Sequence, residues 1–540
     1  MTSRPRSTSL LSVIAYARAG ALDYAWRIFH EAGFGAETEN PRTLSVKGRL
    51  LKDFALRAEG DERLRFYGEA SSAYQRAAEL GRVTYPLINA ATLSLLAGDE
   101  GKARRLADQV LKWIAANPAE PETPYYHGAT LAEALLLLGK DDKARAALSD
   151  AIAIAPRAWE DHASTLRQFS LILKARQAPA EWLNMLSPPR SLHFSGHMSF
   201  SADQPDAGFS QHIARLIAEE RIGFGFGALA AGADIIIAEA LLNAGAELHA
   251  ILPGGRAAFA ARSVDPFGAV WRRRFDAVLE RAEVTRPVRP ENVLPDETVI
   301  DTASTIAMGL AIKHARGLVS EAIQCLVIDP GLPHVSLGAA TLRAGAAWKQ
   351  RGLRQHVIEV PRQKTASSGE RAEPKDSLHR AYALLAVGSR GQAEPTTPVE
   401  KELAELHGAV AGMQTALPPH WSGEYLVLAF ERPAEAAAAG MDLACAGWRV
   451  GGDFSAGPPI FDPFTGKLRL PMRSAAACCG ACASSLEGNF QATEDLVAAL
   501  ALEAPDACIA QLTGELESPG GEYPLPLFFL RQPWLQDHFL

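Results

Sequence analysis

The sequence predicts three consecutive domains of different class: an all-α helical repeat, a domain built on a parallel sheet with helices on both faces, and an α+β domain. Three observations lead there. The phrase G-x-x-x-K-A-R recurs within the first 187 residues, strand-length apolar runs alternate with helical patterns through the middle, and the last third mixes strands and helices without that alternation. The chain of 540 residues, 48% hydrophobic and 21% charged, is long enough for several packed cores. Its formal net charge of -8 supplies no basic field to gather nucleic acid or anionic lipid, so neither partner is expected.

The first domain, residues 1–187, reads as helix pairs. The repeated phrase begins at Gly98 and again at Gly139, an offset of 41 residues, and AGALDYAWRIFHEAG holds a weaker copy with Gly20 and Ala25. Gly139 marks the turn between two helices, Ala144 and Ala151 keep one face small enough for close packing, and Pro156 stops the second helix. The opening RPRSTSLLSVIAYARAGA has the basic start, apolar run and A-R-A of a cleaved signal. Leu10, Leu11, Ile14, Ala17 and Ala21 nevertheless share one helical face, which predicts an ordinary first helix. No apolar run is long enough to span a bilayer. Six cysteines in so long a chain do not form a secreted disulfide framework, and a reducing cytoplasm fits them better.

The segment with Gly139, Ala144, Ala151 and Pro156 resembles the tetratricopeptide repeat, and the whole helical stretch resembles the TRAF-binding region of some MAP-kinase-kinase kinases. Those regions scaffold, so the resemblance implies a protein partner. The alternative is a helical domain that only packs against its neighbours.

A break at LSPPRS opens the second domain, residues 188–362. RSLHFSGH, RIGFGFGA, AELHAILPG, IQCLVIDPG and QHVIEV read as strands, with helices over Phe209–Glu220, Ala230–Asn243 and Val270–Ala282. This is a Rossmann-like α/β pattern. GFGFGALAAGAD lacks the G-K-[ST] of a phosphate-binding loop and the spacing of G-x-G-x-x-G. What remains is a strand end facing a helix start, at the sheet edge where ligands sit in open parallel sheets.

FSGH at Phe194–His197, GALAAGAD at Gly227–Asp234 and AELHAILPG at Ala246–Gly254 resemble the SLOG superfamily of nucleotide sensors and nucleotide-processing enzymes. The resemblance implies a pocket with Ser195, Gly196 and His197 on one side, Gly225, Gly227, Gly232 and Asp234 on the other, and Pro253 and Gly254 closing it. Asp234 would cap a helix or hold a ribose hydroxyl, Glu239 lies on the following helix, and Arg256 and Arg262 are anion partners. The implied ligand is nucleotide-like. An enzyme processing a nucleotide derivative is the alternative, but PGGRAAFAAR lacks the third glycine, threonine and glutamate of the catalytic motif PGGxGTxxE. Against both stands a structural reading, in which the glycines and Asp234 only pack and cap.

The polar stretch Gln363–Ser377 reads as a linker, and residues 378–540 as the last domain. YALLAVGSRG, HWSGEYLVLAF and GGDFSAGPPIFDPFTG, followed by LRLPMRSAAACCGACA, resemble a class III nucleotide cyclase domain. On that resemblance the metal-binding aspartates fall near Val387 and at Gly423 or Glu424, and the transition-state Asn and Arg positions hold Arg473 and Ala477. A degenerate cyclase-like module, able to pair as a homodimer, is implied. Cys479-x-x-Cys482 is either a metal or redox pair or part of a packed helix. Taken together the sequence points to a noncatalytic signalling scaffold, with no catalytic residue, metal or certain cofactor assigned.

Overall fold

The repeated phrase builds one helical hairpin at each occurrence. In the computed structural model, which describes residues 9–18, 21–116, 123–198, 207–288, 294–330, 339–361, 380–390, 399–517 and 524–533, the chain divides into two compact units with their boundary at Pro188–Pro189. The first unit holds helices α1 (Leu10–Arg18), α2 (Leu22–Glu31), α3 (Pro41–Arg57), α4 (Gly60–Gly81), α5 (Thr84–Leu96), α6 (Glu100–Ala116), α7 (Pro124–Leu137), α8 (Asp141–Ile154) and α9 (Trp159–Ala175).

Gly98 (φ 86°) ends α5 and Gly139 (φ 75°) ends α7, each in the left-handed conformation that glycine adopts without steric cost. Helix α7 starts on Pro124, with the Thr123 hydroxyl accepting the Tyr126 amide. Its Gly128 lies so close to Ala151 of α8 that a Cβ there would stand 2.8 Å from the alanine methyl, which is why this hairpin needs small residues. Arg176 closes the other end, donating to the Leu136 carbonyl (2.8 Å) and to Asp141 (2.7 Å). Gly20, in the weaker copy, lies outside the described residues.

The second unit contains two larger sheets. Strands β1 (Arg190–Gly196), β2 (Ile222–Gly227), β3 (Glu247–Leu252), β4 (Val284–Pro287), β5 (Ala322–Ile328) and β6 (Gln355–Glu359) are all parallel, in the order β4-β3-β2-β1-β5-β6. Between them run α10 (Ala207–Glu219), α11 (Ala233–Asn243), α12 (Arg256–Ser263), α13 (Ala269–Arg281), α14 (Glu297–Gly317) and α15 (Ala339–Gln350). One face of the sheet buries Leu192, Phe194, Ile323 and Val327 with the apolar sides of α10, α11 and α13. The opposite face carries His193, Phe224, Phe226 and His249 toward α14 and α15. Burial on both faces is what makes the strands read as continuous apolar runs.

Two expectations need correcting. Helix α11 begins at Ala233 rather than Ala230, because Gly232 breaks the backbone at the helix entrance. Helices α12, α14 and α15 and strand β4 extend the doubly wound pattern beyond the elements read from the sequence.

The second sheet begins with β7 (Arg380–Gly388), followed by α16 (Val399–Val410), β8 (Leu417–Ser422), β9 (Tyr425–Phe430), α17 (Pro433–Cys445) and β10 (Arg449–Gly457). A separate hairpin, β11 (Ile460–Asp462) and β12 (Lys467–Arg469), precedes α18 (Ala476–Ser484), β13 (Phe490–Thr493), α19 (Glu494–Glu503), β14 (Ile509–Glu517) and β15 (Pro524–Arg531). The strand order is β14-β15-β13-β10-β7-β9-β8, with β10 and β13 parallel and the other pairs antiparallel. The linker expected at Gln363–Ser377 lies outside the described residues.

Helix α14 joins the two sheets of this unit. It covers β1, β2, β3 and β5 on one side and packs on α19 on the other, where Gly309 meets the main chain of Ala498. Around this crossing the first sheet's cations meet the second sheet's anions: buried Arg286 with Asp495 and Glu494, Lys313 with Glu494 (2.6 Å), and Arg316 with Asp506 (2.9 Å). Lys313 Nζ also stands 4.2 Å over the Phe528 ring. Burial works against the Arg286 charge, but Asp495 and Glu494 outweigh it and raise the pKa above its ordinary value.

Candidate ligand site

The strand order reverses direction between β1 and β5, so the crevice of this doubly wound sheet opens at their carboxyl ends, where Gly196 lies opposite Val327. The fold thus brings FSGH and the GALAAGAD turn to one edge. Ser195 Oγ lies 3.2 Å from Thr341 Oγ1 of α15, forming a hydroxyl pair across the crevice. Thr341 was not singled out by sequence, since nothing in that stretch marks a residue that folds back over β1.

Gly196 is held by packing: a Cβ would stand 3.0 Å from Val327 Cβ and closer still to Ala233 Cβ. Its amide donates to Asp234 Oδ1 (2.8 Å), and the Ala230 amide donates to Asp234 Oδ2 (3.2 Å). The expected helix cap is therefore corrected: Asp234 makes no cap bond to α11 and instead staples the turn after β2 to the end of β1. The Gly196 amide is thereby committed to this carboxylate and not to a ligand. Asp234 is buried, and that burial pushes its pKa up to about 7, with the two amides pulling the other way. A carboxyl that changes charge near neutrality thus sits directly behind the crevice.

His197 is also buried and locked by main chain. Its amide donates to the Val327 carbonyl (3.2 Å), Nδ1 lies 3.0 Å from the Met198 carbonyl and Nε2 2.7 Å from that of Val360. Gly225 leaves room for Leu241, and a Cβ at Gly227 would stand 2.7 Å from the Phe194 carbonyl oxygen. Gly232 adopts φ 114° and ψ -127°, open only to glycine, immediately before α11.

Pro253 and Gly254 form the buried bend after β3. Arg256 opens α12 and pairs with Asp276 (2.8 Å), Arg262 pairs with Glu297 (3.1 Å), and the two Glu239 oxygens accept from Arg274 Nε (2.8 Å) and Nη2 (2.6 Å). The arginines proposed for an anion thus each hold a carboxylate of their own. Arg262, Glu297, Asp301 and Arg343 link α12, α14 and α15 into one ion network, which sequence spacing did not reveal.

At the cyclase-like positions, Val387 is fully buried in β7 opposite Leu426, and Glu424 lies in the β8–β9 turn. Cys478 and Cys482 are buried against β10, where Gly451 lets α18 approach the strand, and Cys482 Sγ donates to the Arg449 carbonyl (3.3 Å). Among the described residues no three His, Cys, Asp or Glu side chains gather to hold a metal, and no helix is long and apolar enough to cross a membrane.

One family model and several solved structures match parts of this chain. An adenylate/guanylate cyclase/hydrolase from Silicibacter pomeroyi is 12% identical, covering 28% of this chain and 96% of its own, at a TM-score of 0.23. The adenylyl cyclase CyaB from P. aeruginosa is 10% identical, covering 29% of this chain and 97% of its own, at 0.24. A mutant O-GlcNAc transferase from Thermobaculum terrenum is 13% identical over 60% of this chain and 76% of its own, at 0.16. At such scores none of them defines the fold. No curated protein matches the sequence significantly. Residues 18–191, about a third of the chain, match the family model of the MAP3K TRAFs-binding domain.

Proposed function

We propose that this chain is a noncatalytic signalling scaffold whose helical unit binds a protein partner and whose parallel-sheet crevice takes a nucleotide-like ligand. The observation that carries the reading is the match of residues 18–191 to the MAP3K TRAFs-binding domain, over a unit built of repeated helical hairpins. Ligand sensing is supported by the convergence of Ser195, Thr341 and the Gly227–Asp234 turn at the switch point of a doubly wound sheet.

The cyclase-like module pairs with a second copy in this reading. Support comes from the hairpin β11–β12, where Phe461 and Leu468 oppose one another and Phe464 at the tip is 96% exposed, an apolar surface of the kind that interfaces cover. Val387, an apolar residue near one of the two positions where the resemblance expects a metal-binding aspartate, supports the noncatalytic assignment; Gly423 or Glu424 stands near the other, and Glu424 alone keeps a carboxylate there. All six cysteines are free thiols, in keeping with a reducing cytoplasm.

Nucleotide sensing is tested by thermal melting of the full chain with a panel of mono-, di- and cyclic nucleotides. A rise in Tm that disappears in Gly232→Val supports the crevice. No shift with any nucleotide, or one unchanged in the variant, removes the ligand from the account.

A further inference from the structure

The helical unit opens a groove of about 770 Å³ between α3, α4 and the α5–α6 turn, within the size range of ligand clefts. Its floor combines the small side chains of Ser71, Ala73 and Ser94 with the buried Leu44 and Leu51. Ser71 is buried there, donates to the Ala90 carbonyl (2.9 Å) and lies 2.7 Å from Ser94 Oγ, so the floor's hydroxyls are internally satisfied.

The walls carry the charge. Lys47 of α3, Arg65 and Arg76 of α4 and Lys102 of α6 line the groove, against the carboxylates of Glu69 and Asp99. Arg65 is shared with Glu62 and Glu69, and Arg76 with Glu39 and Glu79, all of them well exposed. Exposed pairs of this kind are weak and exchange readily for a competing carboxylate. Asp99 is committed to the start of α6, where its Oδ1 accepts the Lys102 amide (2.8 Å). Among the described residues, Lys47 and Lys102 are in no ion pair, and both side chains are half-buried.

We propose that this groove binds an acidic, extended peptide segment of the protein partner. The proposal rests on the reading that the helical unit engages a protein. The cations come from three different helices, α3, α4 and α6, so a chain with carboxylates along its length can meet them in turn. The floor offers the serine hydroxyls beside the aliphatic Leu44 and Leu51, a surface along which an extended main chain can lie. Positive walls on a chain of net charge -8 also select partners by sign.

The test is fluorescence anisotropy of the full chain with a labelled peptide of alternating glutamate and glycine, beside the same peptide with glutamine in place of glutamate. Saturable binding of the glutamate peptide, weaker by about tenfold or more for the glutamine peptide and for Lys47→Glu/Lys102→Glu, is the expected result. The neutral pair Lys47→Gln/Lys102→Gln, which places no new carboxylate in the groove, falls between. Arg104→Glu/Lys112→Glu, with the same charge change on α6 outside the groove, binds as the wild type.

Equal affinity in wild type and groove variants overturns the proposal. So does the absence of saturable binding at about millimolar protein. Binding of a short oligonucleotide that the acidic peptide cannot displace reassigns the groove to phosphate and also overturns it. A captured protein partner that binds the groove variants unchanged sinks the groove and leaves the scaffold reading standing; peptide binding without any captured partner does the reverse.

Discussion

Replacing Gly309 with alanine tests whether the two sheets of the second unit pack as one body through α14. A Cβ at this position would stand 2.9 Å from Ala498 Cα, with the Ala498 carbonyl carbon and oxygen closer still. Ordinary carbon contacts begin near ~3.5 Å, and the obstacle is main chain, so no rotamer change relieves it. The helices must part by about 1 Å or more, an overpacking that costs about 3 kcal/mol. Alanine returns about 1 kcal/mol through helix propensity, leaving a net loss of about 2 kcal/mol. Gly317, at the end of the same helix, faces open space, so Gly317→Ala carries the propensity gain without the clash. Urea unfolding followed by tryptophan fluorescence compares the two: Trp271, Trp348 and Trp448 are all buried in this unit. Hydrogen exchange then locates the loss, which falls on α14 and α19 together. A Gly309→Ala protein as stable as Gly317→Ala would refute the close crossing.

Other perturbations follow from the same geometry. Arg286→Met leaves Asp495 and Glu494 facing a lost cation in a buried setting and costs about 3–5 kcal/mol in urea unfolding; a loss below about 1 kcal/mol would mean the cluster is solvated. Asp234 binds its proton more tightly folded, with a pKa of about 7, than unfolded, with 3.8, so its contribution to stability is greatest below pH 4 and falls as pH rises toward 7. The stability advantage of wild type over Asp234→Asn therefore shrinks by up to about 4 kcal/mol between about pH 4 and pH 8; a constant difference contradicts the buried staple. Gly128→Leu overfills the contact with Ala151 and costs about 1–3 kcal/mol in the helical unit, read by circular dichroism melting, whereas an unchanged melt would deny the tight hairpin.

The helical repeat was legible because its grammar is local: Gly98 and Gly139 stop helices where they stand, and the alanines that follow pack within the same hairpin. The parallel sheet was legible for a related reason, since strands buried on both faces spell uninterrupted apolar runs. Helix α14 escaped notice although it runs from Glu297 to Gly317. Its two apolar faces serve two different sheets, so its pattern lacks the single stripe that marks a surface helix.

The candidate site was legible in place but not in bonding. Sequence put Ser195, Gly196 and Asp234 together, yet could not show that Asp234 spends both oxygens on the amides of Gly196 and Ala230, or that Val360, far along the chain, receives the His197 ring. Those partners depend on tertiary distance. The ion cluster of Arg286, Lys313, Glu494 and Asp495 was hidden for the same reason, its cations and anions lying far apart in sequence and meeting only where the sheets join.

The central claim is that residues 18–191 engage a protein partner. Its most direct test is cross-linking of the full chain to the protein it captures in its own cell extract, with the linked residues identified by mass spectrometry. The account predicts cross-links concentrated within residues 18–191. Cross-links confined to residues 207–532, or a captured protein indifferent to every substitution in the helical unit, would contradict it.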